Sequence, residues 1–216
     1  MSKTVCIYSQ EKDGSTDFLK PLYDYICTTL SADGVGYNAD SEEDTVSEIY
    51  DAIKDADMII FLGHGNSKGL YASVQDNFEL FHQNNVAMLA DKSLLLLACR
   101  SADFIKRFSL TNAIGFGHLP TSAEDTKHWN NEHSIALNDF SEDDINLYND
   151  ALVSILYNAI DPETLLNFNL LYNRIKFQAS EEIVKCLILH KDNPHYRKIA
   201  DMLFYLQKDM RIYSKV

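Results

Sequence analysis

The chain has no basic leader followed by an apolar run between Met1 and Asp13, and no window approaches the roughly 18 apolar residues of a membrane span. These absences predict a soluble, cytoplasmic protein with no membrane partner. Positive charge is also scarce. With 19 Lys and Arg against 32 Asp and Glu, the formal net charge is -13. A phosphate backbone would meet repulsion instead of the counterion release that drives nucleic-acid binding, so no nucleic-acid partner is expected. Paired cysteines are missing too: Cys6, Cys27, Cys99 and Cys186 form no CxxC, and only Cys186 has a histidine, His190, within five residues. That spacing argues against a disulfide scaffold or a zinc knuckle, and each cysteine must be explained as core or as chemistry. No internal repeat, low-complexity tract or interdomain linker interrupts the chain, and one domain over residues 1–216 is expected.

What is present is enough apolar residue, 46% of 216, to bury a substantial core. Three short apolar runs, Thr4 to Tyr8, Met58 to Leu62 and Leu94 to Ala98, have the uninterrupted form of strands buried on both faces of a parallel sheet. A weaker run covers Gly34 to Asn38. Helical periodicity marks Phe18 to Leu30 and Thr45 to Ile53, and the resulting β-α-β-α-β order predicts a doubly wound α/β sheet. A short helix at Ala102 to Phe108 and a strand at Ala113 to Phe116 follow.

Between Gly117 and Phe140 the periodicity lapses, which predicts a long, mobile loop bordering a substrate cleft. It holds Trp129 and the histidines His118, His128 and His133, which lack the spaced carboxylate or Cys partners of a metal site. From Ser141 the chain turns helical, opening on a capping box of Ser141 and Asp144. Asp161-Pro162 restarts a helix, and Glu163 to Phe177, Ser180 to His190 and Pro194 to Lys208 read as separate helices, the last capped by Asn193. Residues 141–216 are thus expected to be mainly helical and packed on the sheet domain. The acidic clusters Glu42-Glu43-Asp44 and Glu142-Asp143-Asp144 fall at predicted helix starts, where they suit the macrodipole.

In an open parallel sheet, reactive groups gather beyond the carboxyl ends of the strands. Met58 to Leu62 runs into Gly63-His64-Gly65, and Leu94 to Ala98 runs into Cys99-Arg100-Ser101. One exit presents an imidazole, the other a thiol. A thiol needs a neighbouring imidazole to raise its thiolate fraction, and that imidazole then protonates a leaving amine. The flanking glycines let the chain turn and leave room for a substrate, and the Gly65 and Cys99 N–H groups are candidates for an oxyanion hole. Cys6, Cys27 and Cys186 read as core. The run Gly63-x-Gly65-x-x-x-Gly69 departs from a dinucleotide fingerprint in both spacing and position.

Phe61-Leu62-Gly63-His64-Gly65 with Leu96-Leu97-Ala98-Cys99-Arg100-Ser101 resembles the caspase-like peptidases of clan CD. Lys68-Gly69-Leu70-Tyr71 after the histidine, the helix Asn138 to Ala159 and Ser180-Glu181-Glu182-Ile183-Val184 make it most similar to the CHAT-domain branch. The resemblance implies an α/β/α sandwich and a selective cysteine endopeptidase with His64 and Cys99 as dyad. It needs no cofactor and no metal, acts on a protein or peptide substrate, and sometimes depends on an activating protein partner in defence, including antiviral defence, or in programmed cell death. The histidine lies 35 residues before the cysteine, against roughly 50 in caspases, and the signature Q-A-C-[RQG]-G is absent. Leu97 stands where caspases place a polar pocket residue, so their substrate preferences do not transfer. The rival reading from another class is a catalytically silent binding module on the same fold, and a flavodoxin-like nucleotide binder is the third.

Overall fold

The structure is a computed structural model that describes residues 3–37, 42–122, 125–126, 129, 133 and 135–214, with the backbone alone at residues 42–44. The fold is α/β. In chain order the first elements are β1 (Thr4–Ser9), α1 (Lys20–Thr29), β2 (Asp33–Tyr37), α2 (Glu42–Lys54) and β3 (Met58–Leu62). A small hairpin region follows as β4 (His64–Gly65), β5 (Leu70–Ser73) and β6 (Phe78–Phe81). Then come β7 (Ser93–Leu97), α3 (Ser101–Arg107) and β8 (Ala113–Gly115). Four more helices, α4 (Glu142–Ala159), α5 (Pro162–Leu166), α6 (Phe168–Leu189) and α7 (Tyr196–Asp209), precede β9 (Arg211–Tyr213). Six strands form a mostly parallel sheet in the order β2-β1-β3-β7-β8-β9, with only β9 antiparallel, and helices flank it in an α/β/α sandwich. β4, β5 and β6 make a separate antiparallel sheet.

The chain divides into two compact units, residues 1–117 with 211–216, and residues 118–210. In the first, every residue of β3 is buried, as are Leu94 to Leu97 of β7, because these apolar runs have no polar face to give to water. Val5, Ile7, Ile59, Phe61, Leu94 and Leu96 share one core with Ile49 and Ile53 of α2 and Phe104 and Ile105 of α3. On the alternate side of β1, Tyr8 packs on Tyr23 of α1 at 5.3 Å between ring centroids.

The second unit is helical among its described residues. The expected capping box at Ser141 is present: Ser141 Oγ accepts from Asp144 N and Asp144 Oδ2 accepts from Ser141 N. Asp161 likewise caps α5, with Pro162 in its first turn. Three readings need correction. Residues 163–190 are not two helices broken near Phe177. A short α5 ends at Leu166 and one unbroken α6 follows, because Ala179 packs inward and Ser180 Oγ donates back to Lys176 O, so a serine sits in the helix interior. Asn193 does not cap α7. Its Oδ1 accepts from His195 N while its Nδ2 donates to Asp144 Oδ1, which ties the segment to the start of α4. Nor is the stretch from 117 to 140 a solvent loop throughout. Trp129 is wholly buried, stacks on His133 at 3.8 Å and meets Tyr205 edge-on, while His118 packs against its edge. His128 and the residues of Glu42-Glu43-Asp44 beyond their backbone lie outside what is described. Among the described residues no helix is long and apolar enough to cross a membrane.

Asp144, 3% exposed, is the junction of this unit, since His195 Nδ1 also lies 2.8 Å from its Oδ2. Burial pushes its carboxyl up, but the Ser141 amide, Asn193, His195 and the Ser141 hydroxyl outweigh it and hold the pKa down to about 2. A depressed carboxyl stabilises the fold above its unfolded value near 3.9 and loses that contribution as pH falls toward 2. Urea midpoints measured between pH 5 and pH 2 should therefore fall less steeply for Asp144→Asn than for the unaltered chain, although the variant is weaker at neutral pH.

Candidate functional site

β1 leads to β2 on one side and, after α2, the chain returns to β3 on the other, so the strand order reverses between β1 and β3. That reversal opens a crevice at the carboxyl ends of the two strands, where parallel sheets bind ligands. β3 and β7 are neighbours in strict register, with Leu62 opposite Leu97. Gly63 N still donates to Leu97 O at 3.1 Å, and just beyond it a Cβ on Gly65 would lie 3.2 Å from Cys99 O. The structure thus brings the two sequence-chosen segments together at one edge of the sheet. Both residues are half-buried.

The glycines have a different reason from the one expected. Neither lies in the left-handed region, and a Cβ on Gly63 would sit 2.6 Å from Ser9 Cβ. On Gly65 it would sit 2.9 Å from Ala98 Cβ and 3.2 Å from Cys99 O. The space is filled by the neighbouring strand exits, and the glycines serve their close approach instead of making room for a substrate. In the β4–β5 ladder Asn66 N donates to Gly69 O, so Gly65 and Leu70 form the next, non-hydrogen-bonded pair. The Gly65 N–H therefore points away from β5, as an oxyanion donor must. Gly63, Asn66, Lys68 and Gly69 commit their amides to Leu97 O, Gly69 O and Asn66 Oδ1, which explains physically why the glycine run is no phosphate cradle.

Cys99 sits at the turn from β7 into α3, and the turn is tight enough to put Arg100 in the left-handed region at φ 56. Three bonds hold it there. Arg100 N donates to Gly117 O at 2.7 Å, and the buried Ser101 Oγ donates to Leu96 O at 2.6 Å while accepting from Phe116 N at 2.9 Å. Ser101 thereby pins the turn to both β7 and β8.

The residues that sequence reasoning missed lie at the exit of β1. Ser15 Oγ is 3.2 Å from His64 Nε2, and Ser15 N donates to Asp13 Oδ1 at 3.0 Å. Hydrogen bonds from the Ser15 amide and hydroxyl hold the Asp13 carboxyl below its ordinary range. Glu11, only 3% exposed, accepts from Ser73 Oγ and Val74 N of the hairpin region, and its own amide donates to Thr16 Oγ1. This buried carboxylate fastens the segment that carries Ser15. A signal existed: a polar turn, Asp13-Gly14-Ser15, at the exit of a buried strand, with Gly14 at φ 74.

The other thiols also divide. Burial raises Cys6 well above the ordinary thiol value and raises Cys186. Cys27 is not simply core. It is half-buried, and the hydrogen bond from the Cys6 thiol, acting against burial and helped by the Tyr23 hydroxyl, lowers it to about 7.

No family model, curated protein or solved structure matches this chain.

Gly63→Ala should lower stability by roughly 1–3 kcal/mol through overpacking against Ser9. Gly36→Ala, whose added Cβ meets only Tyr8 O at 3.9 Å, should be close to neutral. Urea unfolding of the two variants side by side checks this, and equal losses would remove the close-approach explanation.

Proposed function

We propose that the chain is a caspase-like cysteine endopeptidase of the CHAT-domain kind, acting through His64 and Cys99 on a selected protein. The observation that supports the reading is the pairing of β3 with β7, whose exits run side by side, with a Cβ on Gly65 lying 2.9 Å from Ala98 Cβ and 3.2 Å from Cys99 O. His64 Nε2 is engaged by Ser15, so Nδ1 is the nitrogen left to take the thiol proton. Ser15 Oγ can then accept from Nε2–H of the imidazolium, the part played by a third, orienting group. The Cys99 thiolate attacks the peptide carbonyl, the oxyanion is held by the N–H groups of Gly65 and Cys99, and His64 protonates the departing amine. Water then hydrolyses the acyl-enzyme.

Nucleotide binding at the β1/β3 crevice has less in its favour. The loop after β1 carries Glu11, Asp13 and Asp17, and the amides of Glu11, Gly14, Ser15 and Asp17 are already bonded within it. Negative charge and spent donors are the reverse of a phosphate site.

The test is to compare new protein N-termini in a cell lysate treated with the unaltered chain, Cys99→Ala or His64→Ala. Cleavage products should appear only with the unaltered chain, and Ser15→Ala should slow their formation by about 10-fold or less. Products that persist with Cys99→Ala defeat the proposal, and a folded chain that binds a partner without cutting it favours the silent module. Alkylation near pH 7 gives a second readout. Cys99 and Cys27 should label ahead of Cys6 and Cys186, and His64→Ala should slow Cys99 while leaving Cys27 as an internal control.

A further inference from the structure

Helix α6 buries Phe168, Leu171, Ile175, Ala179 and Cys186 along one face. On the opposite face Leu170, Phe177, Val184 and Ile188 are 37%, 59%, 53% and 58% exposed. Residues seven apart on a helix drift by only about 20°, so Leu170, Phe177 and Val184 stand almost in line with Ile188 one turn further on. The row runs about 27 Å at 1.5 Å per residue. Single exposed apolar side chains are ordinary, but a row repeating every seven residues supplies one of the two apolar positions that each heptad of a helix-pair seam uses.

The row also identifies its occupant, because it reads alike in both directions from Phe177. Leu170 lies seven residues before and Val184 seven after. A two-fold axis through Phe177 therefore sets Phe177 against Phe177 and Leu170 against Val184. The charges beside the row are not symmetric: Arg174 precedes Phe177 and Glu181 follows it. Antiparallel pairing brings Arg174, three residues before Phe177, within one residue of the level of Glu181, four after it, on the second copy, and does so on both sides of the axis. Arg174 already bonds Asp161 of its own chain, and a guanidinium with five N–H donors has capacity for a second carboxylate.

We infer that the outer face of α6 is a self-association seam, an isologous antiparallel contact with a second copy of this chain in which Phe177 meets Phe177, Leu170 meets Val184 and Arg174 pairs with Glu181. The contact uses no residue of the His64 and Cys99 chemistry, so it stands or falls independently of that reading.

Sedimentation of the full chain from low to about 100 µM should show a concentration-dependent species of twice 24.6 kDa. Phe177→Asp should weaken association by about 100-fold or more while leaving the circular dichroism spectrum and melting curve those of a folded chain. Glu181→Arg should weaken it, and adding Arg174→Glu to that variant should restore it. A single-chain mass throughout overturns the inference, whether or not the face then captures a lipid vesicle or another protein. So does a dimer that survives Phe177→Asp, and a folded double variant that stays monomeric overturns the antiparallel register.

Discussion

The pairing of β3 with β7 is the constraint on which the rest of the first unit depends. Both strands bury both faces, so a slip of one residue gains nothing from an alternative solvent face, and backbone hydrogen bonds with packing on either side fix the register. Everything placed at the carboxyl edge inherits that register. Gly63 continues it for one more bond, Ser101 clamps the departing chain to β7 and β8, and Gly115 lets α3 approach β8 so closely that a Cβ would come within 2.7 Å of Ala102 N. Glycine at Gly63 and Gly115 makes the unfolded chain more flexible and so costs more entropy on folding, but it is what permits these close approaches.

A buried carboxylate plays the matching part on the β1 side. Isolated, a charge with the exposure of Glu11 would be costly. It is offset by the Ser73 hydroxyl and the Val74 amide, and together they bind the β1 exit to the small antiparallel sheet. Ser9 extends the same link by donating to Ala72 O. The imidazole of His64 is thus approached by a polar segment whose position is set by several hydrogen bonds at once, and its orientation follows from the fold of the hairpin region as much as from its own strand.

How much of this could be read from the amino-acid order varied with the kind of signal. The three apolar runs were legible to within a residue at each end, since doubly buried strands tolerate no polar interruption: Thr4 to Tyr8 became Thr4–Ser9, and Met58 to Leu62 was unchanged. The candidate pair was legible because both members stand at such exits. β5 and β6 were not, being four residues each around a polar turn, too short for a period to declare itself. The contacts of Ser15 and Glu11 join residues 49 and 62 apart, and no local pattern encodes the distance they span. Cys27 looked like core because it lies on a helix; the proximity of Cys6 across two elements is what changes its acidity.

The antiparallel strand β9 joins the sheet beside β8 only after the chain has made its entire helical excursion, and Tyr213 then donates its hydroxyl to Ala102 O. During synthesis, β8 must therefore wait with one side of its backbone unpaired while residues 118–210 emerge. An open strand edge is an invitation to intermolecular pairing. For the nascent chain, the hazardous interval is set by translation time across the helical unit, and protection of that edge by a chaperone or by early folding of the helices matters more here than in a sheet whose last strand follows directly in sequence.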